Sequence, residues 1–144
     1  MRRSNVCTNV ILVAFLSIFL LGCSKYDKID IMGTWVIDIK AAKGLPAEYE
    51  YARETVIFNS DKSYTQKYEE SRGVTKKETW TITGSIERKK DQMTFKNRIK
   101  DGTNPQRDET FPYTVKGDKL TLEDESFPNK EKIYTKVPAG GGSQ

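Results

Sequence analysis

Residues 92–99 read Gln-Met-Thr-Phe-Lys-Asn-Arg-Ile (QMTFKNRI), and their alternation decides the fold class. Met93, Phe95 and Ile99 oppose Thr94, Lys96 and Arg98, and Asn97 falls on the apolar side. A period of two belongs to a strand whose successive side chains face opposite ways, so the segment is a ribbon with one buried and one wetted side. The same pattern recurs on both sides of it, at the roughly 8–12-residue spacing of an all-β domain. Toward the N-terminus, Trp80 and Ile82 alternate with Thr79, Thr81 and Thr83, and Gly84-Ser85 ends or bends that strand. Tyr64, Gln66 and Tyr68 oppose Thr65, Lys67 and Glu69, between turns at Asn59-Ser60-Asp61-Lys62 and Ser71-Arg72-Gly73. Val56 and Phe58 mark another strand, Ala41 to Ala52 a loop or single short helix, and Trp35, Ile37 and Ile39 the first strand. Toward the C-terminus, Asp101 to Pro105 is the longest loop signal. Phe111, Tyr113 and Val115 form an inward set, with Pro112 on the other face removing one backbone donor. Lys116-Gly117-Asp118 turns into Leu120 and Leu122, Asp124 to Asn129 turns again, and Ile133 and Val137 point inward on a closing strand.

Eight strands joined by turns too short for a crossover helix favour antiparallel neighbours in an up-and-down meander. Closing that meander into a single eight-stranded β-barrel removes the exposed edges, and an open two-sheet sandwich is the competitor. No window sustains the i, i+3, i+4, i+7 spacing of an amphipathic helix.

The composition suits one such domain. The chain has 144 residues, 36% hydrophobic, 31% charged and 10% aromatic, with 24 Lys and Arg against 20 Asp and Glu. It contains no histidine, which removes His-based acid–base and nucleophile chemistry and nearly every known zinc site. Glu123-Asp124-Glu125 is the only dense carboxylate cluster and lacks the spacing of a calcium loop. Lys76-Lys77 and Lys89-Lys90 sit among Glu69-Glu70, Glu87 and Asp91, as expected of solvated strand faces rather than a nucleic-acid surface. No motif pairs a Ser or Lys nucleophile with a base. The expectation is therefore a non-catalytic protein with no metal, cofactor or nucleic-acid partner.

The N-terminus reads as an address. Met1-Arg2-Arg3 precedes Val10 to Leu21 (VILVAFLSIFLL), a run of signal-peptide length and short of the ~20 residues a spanning helix needs. It ends at Leu20-Leu21-Gly22-Cys23, which resembles the lipobox of bacterial lipoproteins. The resemblance implies cleavage before Cys23, lipidation of its sulfur (with acylation, as by palmitate, of the freed amino group) and membrane attachment at the cell envelope. Ser24 at the next position implies the outer membrane, at its periplasmic or surface face, over the inner one. Loss of residues 1–22 also removes Arg2, Arg3 and Cys7, so the formal charge of +4 falls by two and no intrachain disulfide is available. The expected divisions are a signal peptide at 1–22, a lipidated Cys23 and tether at 23–30, a barrel domain at 31–137 and a disordered tail at 138–144.

Gly33-Thr34-Trp35 on the first strand resembles the start of lipocalins and fatty-acid-binding proteins, the calycin group. Phe58 to Asp61, Trp80 to Ile82 and Gly117 to Leu122 carry the likeness to bacterial lipocalin-like lipoproteins along the rest of residues 30–137. The resemblance implies that Gly33 lets the chain bend and Trp35 plugs one end of the barrel. It also implies a small hydrophobic ligand inside, for which Trp80, Phe95, Tyr113, Lys132 and Tyr134 are the candidate contacts. Where lipocalins place an arginine near the last strand to pack on the first tryptophan, this chain offers only lysines. Lys132 and Tyr134 match the Arg-x-Tyr carboxylate grip of fatty-acid-binding proteins with lysine for arginine. Alternation anchored on Ile133 and Val137 instead puts that pair on the outer face.

The barrel interior is thus either a container or a plug. An eight-stranded barrel is just wide enough to be filled by its own side chains or to hold one small ligand. A filled interior, with Gln66 and Asn97 bonded to each other or to water, implies the alternative function of an envelope scaffold or inhibitor that binds a protein partner through its loops. A splayed interior is an apolar pocket with a few polar handles.

Overall fold

The structure is a computed structural model and describes residues 30–74 and 76–140. The signal peptide, Cys23 with the tether up to residue 29, and the last four residues of the tail lie outside these. The elements are β1 (Gly33–Asp38), α1 (Ile39–Lys43), β2 (Tyr49–Phe58), β3 (Ser63–Arg72), β4 (Lys76–Lys89), β5 (Gln92–Lys100), the two-residue β6 (Asn104–Pro105), β7 (Glu109–Lys116), β8 (Lys119–Glu123) and β9 (Glu131–Lys136). Every pairing is antiparallel. Each long strand pairs with its sequence neighbours, and β1 pairs with β9 through Trp35↔Lys136 and Val36↔Thr135. That last pairing closes an up-and-down barrel of eight strands, with β6 a short addition to β5.

The elements follow from local chemistry. Ile39 is buried as the alternation of β1 predicts, but it opens a helix rather than continuing the strand. Asp38 caps that helix by accepting from the Ala41 amide at 2.9 Å, and Gly44 ends it in the left-handed region. β2 begins at Tyr49, so the second half of the expected Ala41–Ala52 loop is strand.

The two ends of the barrel differ. The lower end, near Gly33 with φ +110°, holds Trp35, which is fully buried. Its indole Nε1 donates to the Ile31 carbonyl at 2.7 Å, and the Lys136 ammonium lies 5.4 Å from the ring centroid. A lysine from the last strand thus lies over this tryptophan. Above it Val56, Phe58, Tyr64, Met93, Phe95, Tyr113, Leu120 and Leu122 fill the lower half, with Phe95 edge-on to Tyr64 at 4.9 Å. The upper end carries α1 and the β3–β4, β5–β7 and β8–β9 connections, and it is open.

Four expectations about side-chain direction are corrected. Arg98 points inward and is 8% exposed, whereas Ile99 points outward at 40% and Asn97 is exposed. The cause is a bulge: Thr83 pairs with Ile99 and Ser85 with Lys96, so β5 holds one residue more than β4 between those pairs. Asn97 takes that place with φ +52°, and the alternation inverts beyond it. Asn97 consequently bonds Ser85 Oγ at 3.2 Å, not Gln66. Gly84 lies opposite the bulge within a β4 that runs on to Lys89, because a Cβ there would meet the Lys96 carbonyl at 2.4 Å. The third correction concerns β9, where Lys132 and Tyr134 face inward and Ile133 faces out at 44% exposed. Register decides it: Leu120↔Tyr134 and Leu122↔Lys132 share a face, and both leucines are buried. Glu70, expected on the outer surface, is likewise buried.

Candidate functional site

The open end holds a cavity of about 460 Å³. β2 and β3 supply its polar floor. Counting two by two from Phe58 and Val56 leads to Glu54 and Ala52, and from Tyr64 through Gln66 and Tyr68 to Glu70; the register pairs Glu54 with Tyr68 and Ala52 with Glu70. Both glutamates are 4% exposed.

Glu54 is the centre of the floor. Lys132 reaches it from the far side of β1 and spans both carboxylate oxygens at 2.8 and 2.9 Å. Gln66 Nε2 donates to it at 2.9 Å, and the Tyr134 hydroxyl donates a short hydrogen bond. A buried carboxylate is tolerable only with such compensation, and here four side chains share one network. Burial, then the charge of Glu54 and its hydrogen bond, push the Tyr134 hydroxyl well above the usual tyrosine range. Nearer the rim, Glu70 accepts from Tyr68 Oη at 2.5 Å and from Arg72 Nε at 2.8 Å. Burial and that hydrogen bond raise the Tyr68 hydroxyl as well.

Aromatic rings form the walls. Tyr68 stacks on Trp80 at 5.2 Å with 14° between planes, Arg72 lies 4.3 Å from the Tyr49 centroid, and Lys43 lies 4.4 Å from that of Phe127. Ile39 and Leu45 complete the apolar lining. A second space of about 50 Å³ continues downward past Gln66, Asp124 and Lys132, which line both, and ends against Val56, Phe95, Phe111 and Leu122. It has room for a water molecule or two and no organic ligand.

Of the candidate contacts named from the sequence, Trp80 and Lys132 line the large cavity, and Phe95, Lys132 and Tyr134 line its small continuation. Tyr113 is buried in the lower half and reaches neither. Gly33 and Trp35 lie at the lower end, and Cys23 is outside the described residues. Sequence reasoning missed Glu54, Glu70, Arg72, Tyr49 and Phe127. Parity would have found the two glutamates, since each continues an inward series already recognised. Their charge made them read as solvent-facing. Comparison with protein-family models, curated proteins and solved structures finds no match for this chain.

Proposed function

We propose that this protein is a non-catalytic, lipocalin-like lipoprotein of the bacterial cell envelope, anchored through Cys23, that binds a small, partly hydrophobic molecule in the open end of its barrel. The observation that carries the binding reading is the cavity itself. Its size, about 460 Å³, lies in the range of small-molecule sites, and its lining sets aromatic and aliphatic side chains beside a larger number of convergent polar and charged ones. Packing against the edges of Trp80, Tyr49 and Phe127 and against Ile39 and Leu45 supplies the affinity. The apolar lower half is filled by the protein, so a long acyl chain does not fit down the axis, and a ligand remains near the mouth. A barrel filled from end to end, acting through its loops on a protein partner, would need the upper half packed as the lower half is.

Energy transfer from tryptophan to N-phenyl-1-naphthylamine, an uncharged aromatic probe, tests the binding reading. Transfer that saturates at one equivalent and weakens in Trp80→Phe is expected. Absence of saturable uptake, together with no co-purifying small molecule by native mass spectrometry, would favour the scaffold instead.

A further inference from the structure

We infer that the mouth selects an uncharged, hydroxyl-rich head group, such as a sugar or glycerol, and rejects a free carboxylate. This rests on the binding reading above and specifies its ligand. The charges lining the cavity balance: Lys43, Arg72 and Lys132 against Glu54, Glu70 and Asp124. The deep donors are moreover already paired with carboxylates. Lys132, Tyr134 and Gln66 all point to Glu54, and Arg72 and Tyr68 to Glu70. An incoming carboxylate could reach only the protons that Glu54 and Glu70 leave on Lys132 and Arg72, and would set an unbalanced negative charge beside two buried carboxylates whose cations are already paired. The protein's own side chain thus occupies the position that a bound acid would need. Organic cations fare no better, because the aromatic faces already carry Arg72 over Tyr49, Lys43 and Lys132 over Phe127, and Lys100 over Trp80.

A hydroxyl group escapes both conflicts, since it donates and accepts at once. Carboxylates offer about four acceptor directions each. Asp124 uses Oδ1 for the Ser126 amide and hydroxyl at 2.9 and 2.7 Å. Glu70 and Asp124 can therefore accept from ligand hydroxyls while Lys132 and Arg72 donate remaining protons to them, and every internal pair stays intact. Several hydroxyls on one carbon skeleton suit this alternation of donors and acceptors, and the apolar walls cover the skeleton.

The test uses the full-length protein as the cell processes it, held in phosphatidylcholine nanodiscs, with three probes read by tryptophan fluorescence. These are hexyl β-glucoside, hexanoate with the same tail, and methyl β-glucoside with the same head. Hexyl glucoside should bind at least about tenfold more tightly than hexanoate, a modest part of what an uncompensated charge in a buried site costs. Equal binding of the two glucosides identifies a free sugar as the source of the head group; a clear advantage for the hexyl form identifies a lipid. Glu54→Gln, which keeps the shape and removes the charge, should raise hexanoate affinity and leave hexyl glucoside within a fewfold. The wild-type comparison stands alone if that variant does not fold. Hexanoate binding as well as or better than hexyl glucoside would overturn the selectivity while sparing the container. Failure of all three probes to bind would overturn the container and the selectivity with it.

Discussion

Glu54 and Lys132 are 78 residues apart in the chain and in contact in the fold. Removing one member of a buried pair leaves the other uncompensated, so Lys132→Ala or Glu54→Ala should each lower unfolding stability by about 3–5 kcal/mol in urea titrations. A loss below ~1 kcal/mol, the scale of exposed pairs, would mean that water reaches the floor freely. Tyr134 adds a pH dependence whose sign follows from its raised value. The folded state holds the phenolic proton more tightly than the unfolded chain, so the stabilisation is complete below pH ~10 and lost as pH rises above it. Melting temperature should therefore fall steeply only above about pH 10, and Tyr134→Phe should flatten that alkaline part of the curve. An unchanged slope would assign the fall to other groups. Trp35, fully buried at the lower end, belongs to the ordinary core: Trp35→Ala should lower stability by about 3–5 kcal/mol, visible as a lower melting temperature.

Among the elements, the β4–β5 pair has the tightest local constraint. Asn97 is the extra residue, Gly84 the residue without a side chain opposite it, and the Tyr64 ring covers the gap that Gly84 leaves. Gly84→Ala sets a methyl group against the Lys96 carbonyl and the Tyr64 ring, and should destabilise by about 1–3 kcal/mol in thermal melts. A neutral result would mean that the bulge relaxes. This element also shows where reading by period two stops. Met93 and Phe95 are inward as alternation says, and Arg98 and Ile99 are exchanged because one bulge shifts parity for everything after it. The same limit applies at β9, where Ile133 attracts an inward assignment on hydrophobicity and the register to β8 overrules it.

At the scale of the molecule, closure joins the first strand to the last, with Trp35 buried toward one end and the cavity at the other. The chain enters at the former end, beside Ile31 and Trp35. An anchor at Cys23, only seven residues before Asp30, would accordingly tether the barrel by that end. Cys23→Ala should abolish incorporation of labelled palmitate and leave an unprocessed precursor; persistent label would refute anchoring at that residue. The open end, for its part, owes its polarity to residues drawn from β2, β3, β9 and the β8–β9 connection, which no local stretch of sequence brings together.

Strand content, strand number and antiparallel order were legible in the amino-acid sequence, because alternation and turn chemistry are local and each short connection limits where the next strand can lie. Trp35, Phe58, Tyr64, Phe95 and Leu122 could be assigned to the core for the same reason. The direction of Arg98, Ile99, Lys132 and Tyr134, and the burial of Glu54 and Glu70, were decided only by the tertiary structure. Inter-strand register selects the face of each side chain, and a charged residue can face inward only when its partner, far along the chain, arrives beside it.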